Sequence, residues 1–93
     1  AVLEHVPNPQ KAIAELHRVL KSGAEIWIEV PFNQPFHPSP QDYWRVSHLG
    51  MQEWMKEFET IECGYFLSQG SPIHSSVYIT VEKNNLAIFY KLL

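Results

Sequence analysis

Residues 1–32, AVLEHVPNPQKAIAELHRVLKSGAEIWIEVPF, decide the fold that the sequence predicts. Asn8 is a favourable N-cap, and Pro9 falls at the first helical position, where a missing N–H costs nothing. Apolar residues then recur at helical spacing. Gly23 ends the helix, because a residue without a Cβ adopts the left-handed conformation freely. We therefore predict a helix over residues 9–21.

A strand is predicted on each side of this helix. Residues 1–6 read as the end of one strand, and Ile26, Ile28 and Val30 recur at period two in the other. A strand–helix–strand unit with short links places its strands side by side and parallel, with a right-handed crossover. We therefore expect a parallel pair of strands that end near Val6 and Val30.

Composition limits the class of protein. A chain of 93 residues is one small domain, and 45% hydrophobic with 18% charged residues is typical of a globular protein. A net charge of −3 gives no electrostatic reason to expect nucleic acid or an anionic membrane as a partner. The single cysteine, Cys63, forms no internal disulfide, and no apolar run has transmembrane length. We expect a cytoplasmic location.

The rest of the chain is predicted as a long loop, a helix, a strand and a tail. Residues 32–46, FNQPFHPSPQDYWRV, contain three prolines that oppose regular structure, and loops of this length are often functional lids. Ser47 caps a helix predicted over residues 48–58, and residues 60–66 suit a strand. Residues 73–93 fit a strand with a hairpin as well as a helix, and we favour the helix.

Three short motifs, in order along the chain, resemble a known family. They are LEHVP at residues 3–7, ELHRVLKSG at residues 15–23 and IEVP at residues 28–31. Together they resemble the second half of class I S-adenosylmethionine-dependent methyltransferases, in particular the small-molecule, type 11 methyltransferases. Ser22 and Ala24 stand where that family usually has a proline and a second glycine. The resemblance implies an α/β, partial Rossmann-like methyltransferase fold with a βαβ unit, a long loop, a helix and a strand.

The resemblance also implies that residues 1–93 are the carboxyl-terminal portion of one methyltransferase domain. The family's glycine-rich turn and the acidic residue that holds the cofactor's ribose have no counterpart in these residues. The implied function is methyl transfer from S-adenosylmethionine to a small molecule by a longer enzyme, of which this fragment alone is inactive. The alternative is a non-catalytic half-domain that binds another chain through loop aromatics or an exposed sheet edge.

Glu4 and His5 follow the first predicted strand, where ligands of open α/β sheets bind. The resemblance places Leu3, Glu4 and His5 beside the cofactor. His5 is a candidate catalytic base, because an unperturbed histidine titrates near neutral pH. One methyltransferase branch holds a divalent metal here with E-x-x-E-H, but Ala1 occupies the first glutamate position, so we predict no metal site. In a structural alternative, Glu4 and His5 hydrogen-bond the following turn.

The loop supplies candidates for substrate binding. By analogy with the family, residues 32–46 cover the substrate side of the pocket, with His37, Tyr43 and Arg45 facing the substrate. His37 is a second candidate base. Arg45 could hold an acidic substrate group through two parallel hydrogen bonds, or it could pair with Asp42. We favour the pair, because a loop with several prolines still needs internal anchors.

Overall fold

The computed structural model describes residues 3–36 and 41–84, which form three helical segments and one three-stranded sheet. The helical segments are a 3₁₀ helix at Leu3–His5 and the α-helices α1 (Pro9–Val19) and α2 (His48–Trp54). The strands are β1 (Glu25–Pro31), β2 (Glu59–Leu67) and β3 (Ser75–Glu82). None of the helices in these two ranges is long and apolar enough to cross a membrane.

The sheet is antiparallel, and its central strand is the last of the three in sequence. The strand order is β1-β3-β2, and β3 runs antiparallel to both neighbours. Ile79 lies opposite Ile28 in one pair and opposite Cys63 in the other. The described residues therefore form a small α/β unit in which the helices accompany an antiparallel sheet.

The predicted strand at residues 1–6 is wrong for the part that the structure describes, since Leu3–His5 is a 3₁₀ helix. The parallel pair ending near Val6 and Val30, and the βαβ unit built on it, are wrong with it. A strand needs a neighbour for its backbone groups. Here the Val6 N–H instead donates to the Leu3 carbonyl (3.4 Å), and the Glu4 carbonyl accepts from the Tyr43 N–H (2.7 Å).

Helix α1 begins as predicted and ends slightly earlier. Asn8 Oδ1 accepts from the Lys11 N–H (3.1 Å), and Pro9 occupies the first helical position. The regular helix ends at Val19, two residues short of the predicted boundary. Gly23 then turns the chain with a φ of 87°, the left-handed region that glycine enters without strain.

Lys83, the residue after β3, caps the carboxyl end of α1. Its ammonium donates to the His17 carbonyl (2.6 Å) and the Leu20 carbonyl (2.7 Å), two groups that have no acceptor role inside the helix. Replacing Lys83 by Met keeps most of the stem and removes both bonds. We expect the free energy of unfolding, measured by urea denaturation, to fall by about 1.5–3 kcal/mol.

Lys56 provides the matched control for this substitution. It is exposed and pairs with Glu53 on the surface (3.0 Å), so Lys56→Met should change the free energy of unfolding by less than about 1 kcal/mol. A loss at Lys83 no larger than the loss at Lys56 would contradict the capping role.

Helix α2 also begins as predicted, since Ser47 Oγ accepts from the Gly50 N–H (3.2 Å). Its regular part ends at Trp54, and turns carry the chain on to Phe58, the predicted end. Strand β2 extends the predicted residues 60–66 by one residue at each end.

The helix favoured for residues 73–93 is wrong over Ser75–Glu82, which is β3, and residues 85–93 lie outside the described part of the chain. Val77, Ile79 and Val81 are β-branched and alternate with more polar residues. Each is fully buried on one face of the sheet. This period-two burial, together with pairing on both sides, outweighs the helical spacing that the same residues approximate.

The core lies between one face of the sheet and the two α-helices. Met51 and Met55 of the α2 region are fully buried with the β3 side chains, and Ile13 contributes from α1. The opposite face of the sheet carries a set of stacked aromatic rings, with centroids 6.0–6.4 Å apart: Trp27, Phe66 and Tyr78.

Candidate ligand-binding site

A cavity of about 560 Å³ lies where the 3₁₀ helix, the end of β1 and the loop after β1 meet the β2–β3 connection. Pockets for small molecules have volumes of this order. Its charged lining comprises Glu4, Glu29 and the pair formed by Asp42 and Arg45, with His5 beside Glu4. The cavity therefore combines several polar groups at a point where distant parts of the sequence converge.

Glu4 is the most unusual group in this lining. The residue is only 3% exposed, and its side-chain Oε2 lies 3.5 Å from His5 Nε2. Its other oxygen, Oε1, is buried and has no hydrogen-bond partner. A buried carboxylate oxygen without a donor is costly, and such groups in folded proteins usually have a partner. A donor on a ligand in the cavity would supply one.

The ring of His5 is held by the loop. Its Nδ1 lies 2.9 Å from the Gln41 carbonyl oxygen. A carbonyl only accepts, so Nδ1 carries the hydrogen, and in the neutral ring Nε2 is then the basic nitrogen. Nε2 is also the nitrogen that faces Glu4. The hydrogen-bond partner of Nδ1 therefore lies 36 residues away. The structural alternative instead predicts a partner in the turn that follows His5.

Arg45 forms the predicted pair with Asp42. Its two terminal nitrogens donate to the two carboxylate oxygens of Asp42 at 2.5 and 2.8 Å. They also donate to the Trp44 and Pro35 carbonyls, both at 3.1 Å. The Asp42 side chain is 2% exposed and that of Arg45 is 28% exposed. Arg45 therefore lines the cavity with most of its N–H groups already engaged in holding the loop.

The other predicted site residues are not brought together by the fold. Tyr43 borders a separate, smaller cavity of about 330 Å³, which Arg45 also lines. Leu3, predicted beside the cofactor, belongs to the hydrophobic core and is not part of the lining of the larger cavity. His37 lies outside the described residues.

Several lining residues were not among the sequence candidates. Gln34 Nε2 donates to Ser76 Oγ (2.8 Å) and Ser68 Oγ (3.2 Å), which ties the loop after β1 to the β2–β3 connection. Glu29 reaches the cavity from β1. The signal that could have found them was the period-two pattern of residues 75–82: an antiparallel pairing with β1 puts Ser76 opposite Pro31.

Residues 3–36 and 41–84 contain no group of three or more His, Cys, Asp or Glu side chains arranged to hold a metal ion.

Residues 1–28 match the family model described as a methyltransferase domain. This match confirms the resemblance of these residues to a methyltransferase domain, and it supports methyl transfer as the reaction class. The matched segment, residues 1–28, contains Glu4, His5 and all of α1, and it ends within β1. No curated protein and no solved structure matches the chain.

Proposed function

We propose that the protein carrying this chain transfers a methyl group from S-adenosylmethionine to a small-molecule acceptor held in the larger cavity. One observation carries the proposal. His5, inside the segment that matches the methyltransferase model, lines a cavity of small-molecule size with its Nδ1 hydrogen directed at Gln41, so that Nε2 is the basic nitrogen.

S-adenosylmethionine supplies an electrophilic methyl group on a sulfonium. In the proposed reaction His5 Nε2 removes a proton from the acceptor. When bound, S-adenosylmethionine would supply the methyl carbon to which the acceptor's freed lone pair bonds, and its sulfur would keep the electrons of the broken carbon–sulfur bond. Glu4 Oε2, 3.5 Å from Nε2, stabilises the imidazolium that forms, and the Gln41 carbonyl keeps the ring in place.

The residues present fit only part of a methyl donor's site. The carboxylates of Glu4 and Glu29 suit the positive charge of a sulfonium. The glycine-rich turn and the ribose-binding acid that the family resemblance calls for are not in the sequence of 93 residues. We propose that residues outside this chain complete the donor site, in line with the fragment that the resemblance implies.

The 93-residue chain should accordingly bind S-adenosylmethionine weakly or not at all. We expect a dissociation constant above about 1 mM by isothermal titration calorimetry, because a single acidic wall leaves the adenosine without partners. Micromolar binding by this chain alone would mean that the donor site is built differently from the one proposed.

The function itself is tested on the longer protein that the resemblance implies. Formation of S-adenosylhomocysteine is measured with separate sets of small phenols, alcohols and amines. Turnover should depend on an acceptor and stop when the acceptor is omitted. A folded protein that binds S-adenosylmethionine and methylates none of the three sets would reject the small-molecule assignment.

A second candidate function is binding to another chain. The aromatic face of the sheet favours it, because Trp27 remains 55% exposed although it stacks with Phe66 and Tyr78. The Tyr78 hydroxyl donates to Glu62 (2.8 Å), and this hydrogen bond raises the pKa of Tyr78, so the phenol stays neutral. Self-association that Trp27→Ala abolishes, seen by analytical ultracentrifugation, would support this function.

A further inference from the structure

We propose that the larger cavity recognises its ligand through an ammonium group that donates a hydrogen bond to Glu4 Oε1. That this ligand is the methyl acceptor rests on the proposed function, whereas the binding of an ammonium group does not.

The state of the Glu4 carboxylate carries the inference. Its side chain is only 4% exposed, and Oε1 has no hydrogen-bond partner. Arg45, which also lines the cavity, is engaged with Asp42 and two backbone carbonyls. A ligand donor would therefore satisfy an oxygen that the described residues leave unsatisfied, and a charged donor forms the stronger hydrogen bond.

The remaining lining favours a cation with an apolar body. Asp42 and Arg45 neutralise each other, which leaves Glu4 and Glu29 to set the sign of the potential in the cavity. Phe36 and Phe66 line the same cavity, and aromatic rings attract both apolar groups and ammonium ions. An arylalkyl amine matches this combination better than a neutral alcohol or a carboxylic acid does.

The methyl donor also carries an ammonium group, but its surroundings differ. In S-adenosylmethionine the ammonium is attached to the same carbon as a carboxylate. That carboxylate would face Glu4 and Glu29 without a guanidinium of its own, because Arg45 is held by Asp42. The lining therefore favours a simple amine, such as an acceptor would carry, over the amino-acid end of the donor.

The test uses the 93-residue chain and three probes in NMR titrations: phenethylamine, the neutral 2-phenylethanol, and S-methylmethionine as the amino-acid end of the donor. Wild type should bind phenethylamine at least about tenfold more tightly than either of the others. Glu4→Gln should lose about tenfold or more in affinity for the amine and stay within about twofold for the alcohol.

Two controls separate recognition from folding. Glu25→Gln makes the same chemical change at an exposed carboxylate of β1 outside the lining, and it should leave all three affinities unchanged. Glu4→Gln should not lower the thermal midpoint, because it removes a buried charge that lacks a donor on one oxygen. A loss of amine binding without a loss of thermal stability is therefore the expected signature.

Equal affinities for amine and alcohol in wild type, or an unchanged amine affinity in Glu4→Gln, would overturn the inference. Tighter binding of S-methylmethionine than of phenethylamine would assign Oε1 to the donor and overturn the acceptor assignment. A different set of results would reject the proposed function. Amine binding without methyl transfer by the longer protein would reject that function and leave ammonium recognition standing. Methyl transfer by the longer protein, without tighter binding of phenethylamine than of 2-phenylethanol, would reject ammonium recognition and leave that function standing.

Discussion

Replacing Arg45 by alanine should lower the free energy of unfolding by about 2–4 kcal/mol. The guanidinium makes two hydrogen bonds to Asp42, whose side chain is 2% exposed, and two more to the Pro35 and Trp44 carbonyls. Removing the cation from a buried pair is strongly destabilising. The lower end of the range allows for the partial exposure of Arg45 itself. Urea denaturation of the 93-residue chain measures the change.

Asp42→Ala should be less damaging than Arg45→Ala. The Arg45 side chain is 28% exposed and keeps its two carbonyl acceptors, whereas Arg45→Ala takes the guanidinium from a buried carboxylate. Arg45→Lys should recover only part of the loss, because an ammonium does not form the two parallel bonds. A normal unfolding free energy for Arg45→Ala, together with a raised KM for an acidic acceptor, would return Arg45 to the predicted substrate-binding role.

His5→Ala should lower kcat/KM by about 10²–10⁴-fold in the longer protein, for acceptors that must lose a proton. The proposed base is Nε2, and the variant removes it together with the Nδ1 bond to Gln41. Acceptors that are already strong nucleophiles at the assay pH, such as thiolates, should lose much less. Methyl transfer is measured as S-adenosylhomocysteine formed per unit time.

His48→Ala serves as the control for His5→Ala. His48 also has its Nδ1 engaged, with the Tyr65 hydroxyl at 2.8 Å, but it lies outside the cavity lining. Its loss should leave kcat/KM within about threefold, a difference of under 1 kcal/mol. If added imidazole restores activity to His5→Ala, proton transfer is supported. An equal loss of kcat/KM for all acceptors, without rescue by imidazole, would indicate that His5 is a positioning residue.

The starts of the helices were predictable from sequence because their causes are local. Asn8 and Ser47 each accept from an N–H three residues further on, as the spacing required. The pair between Asp42 and Arg45 was predictable for the same reason, since its members are three residues apart in a loop that needs an anchor.

The sheet could not be predicted in the same way, because pairing depends on residues far apart. Residues 1–6 have the composition of a strand, but the Glu4 carbonyl accepts a hydrogen bond from the Tyr43 N–H and not from a neighbouring strand. Val77 and Val81 fit both the spacing of a helix and the period of two of a strand. The pairing of β3 with β1 on one side and β2 on the other favours the strand. Two lining residues of the cavity, Glu29 and Ser76, were missed with it, because the antiparallel register brings them there.

The central position of β3 has a consequence for how the chain folds during synthesis. Among the described residues, β1 and β2 have β3 as their shared neighbour, so neither gains a ladder until Ser75–Glu82 has been made. Lys83, whose ammonium caps the carboxyl end of α1, is synthesised after β3. Non-local pairing of this kind is slow to form. A nascent chain that stops before β3 would therefore leave its apolar strands exposed and bind chaperones, because no part of the sheet can form without β3.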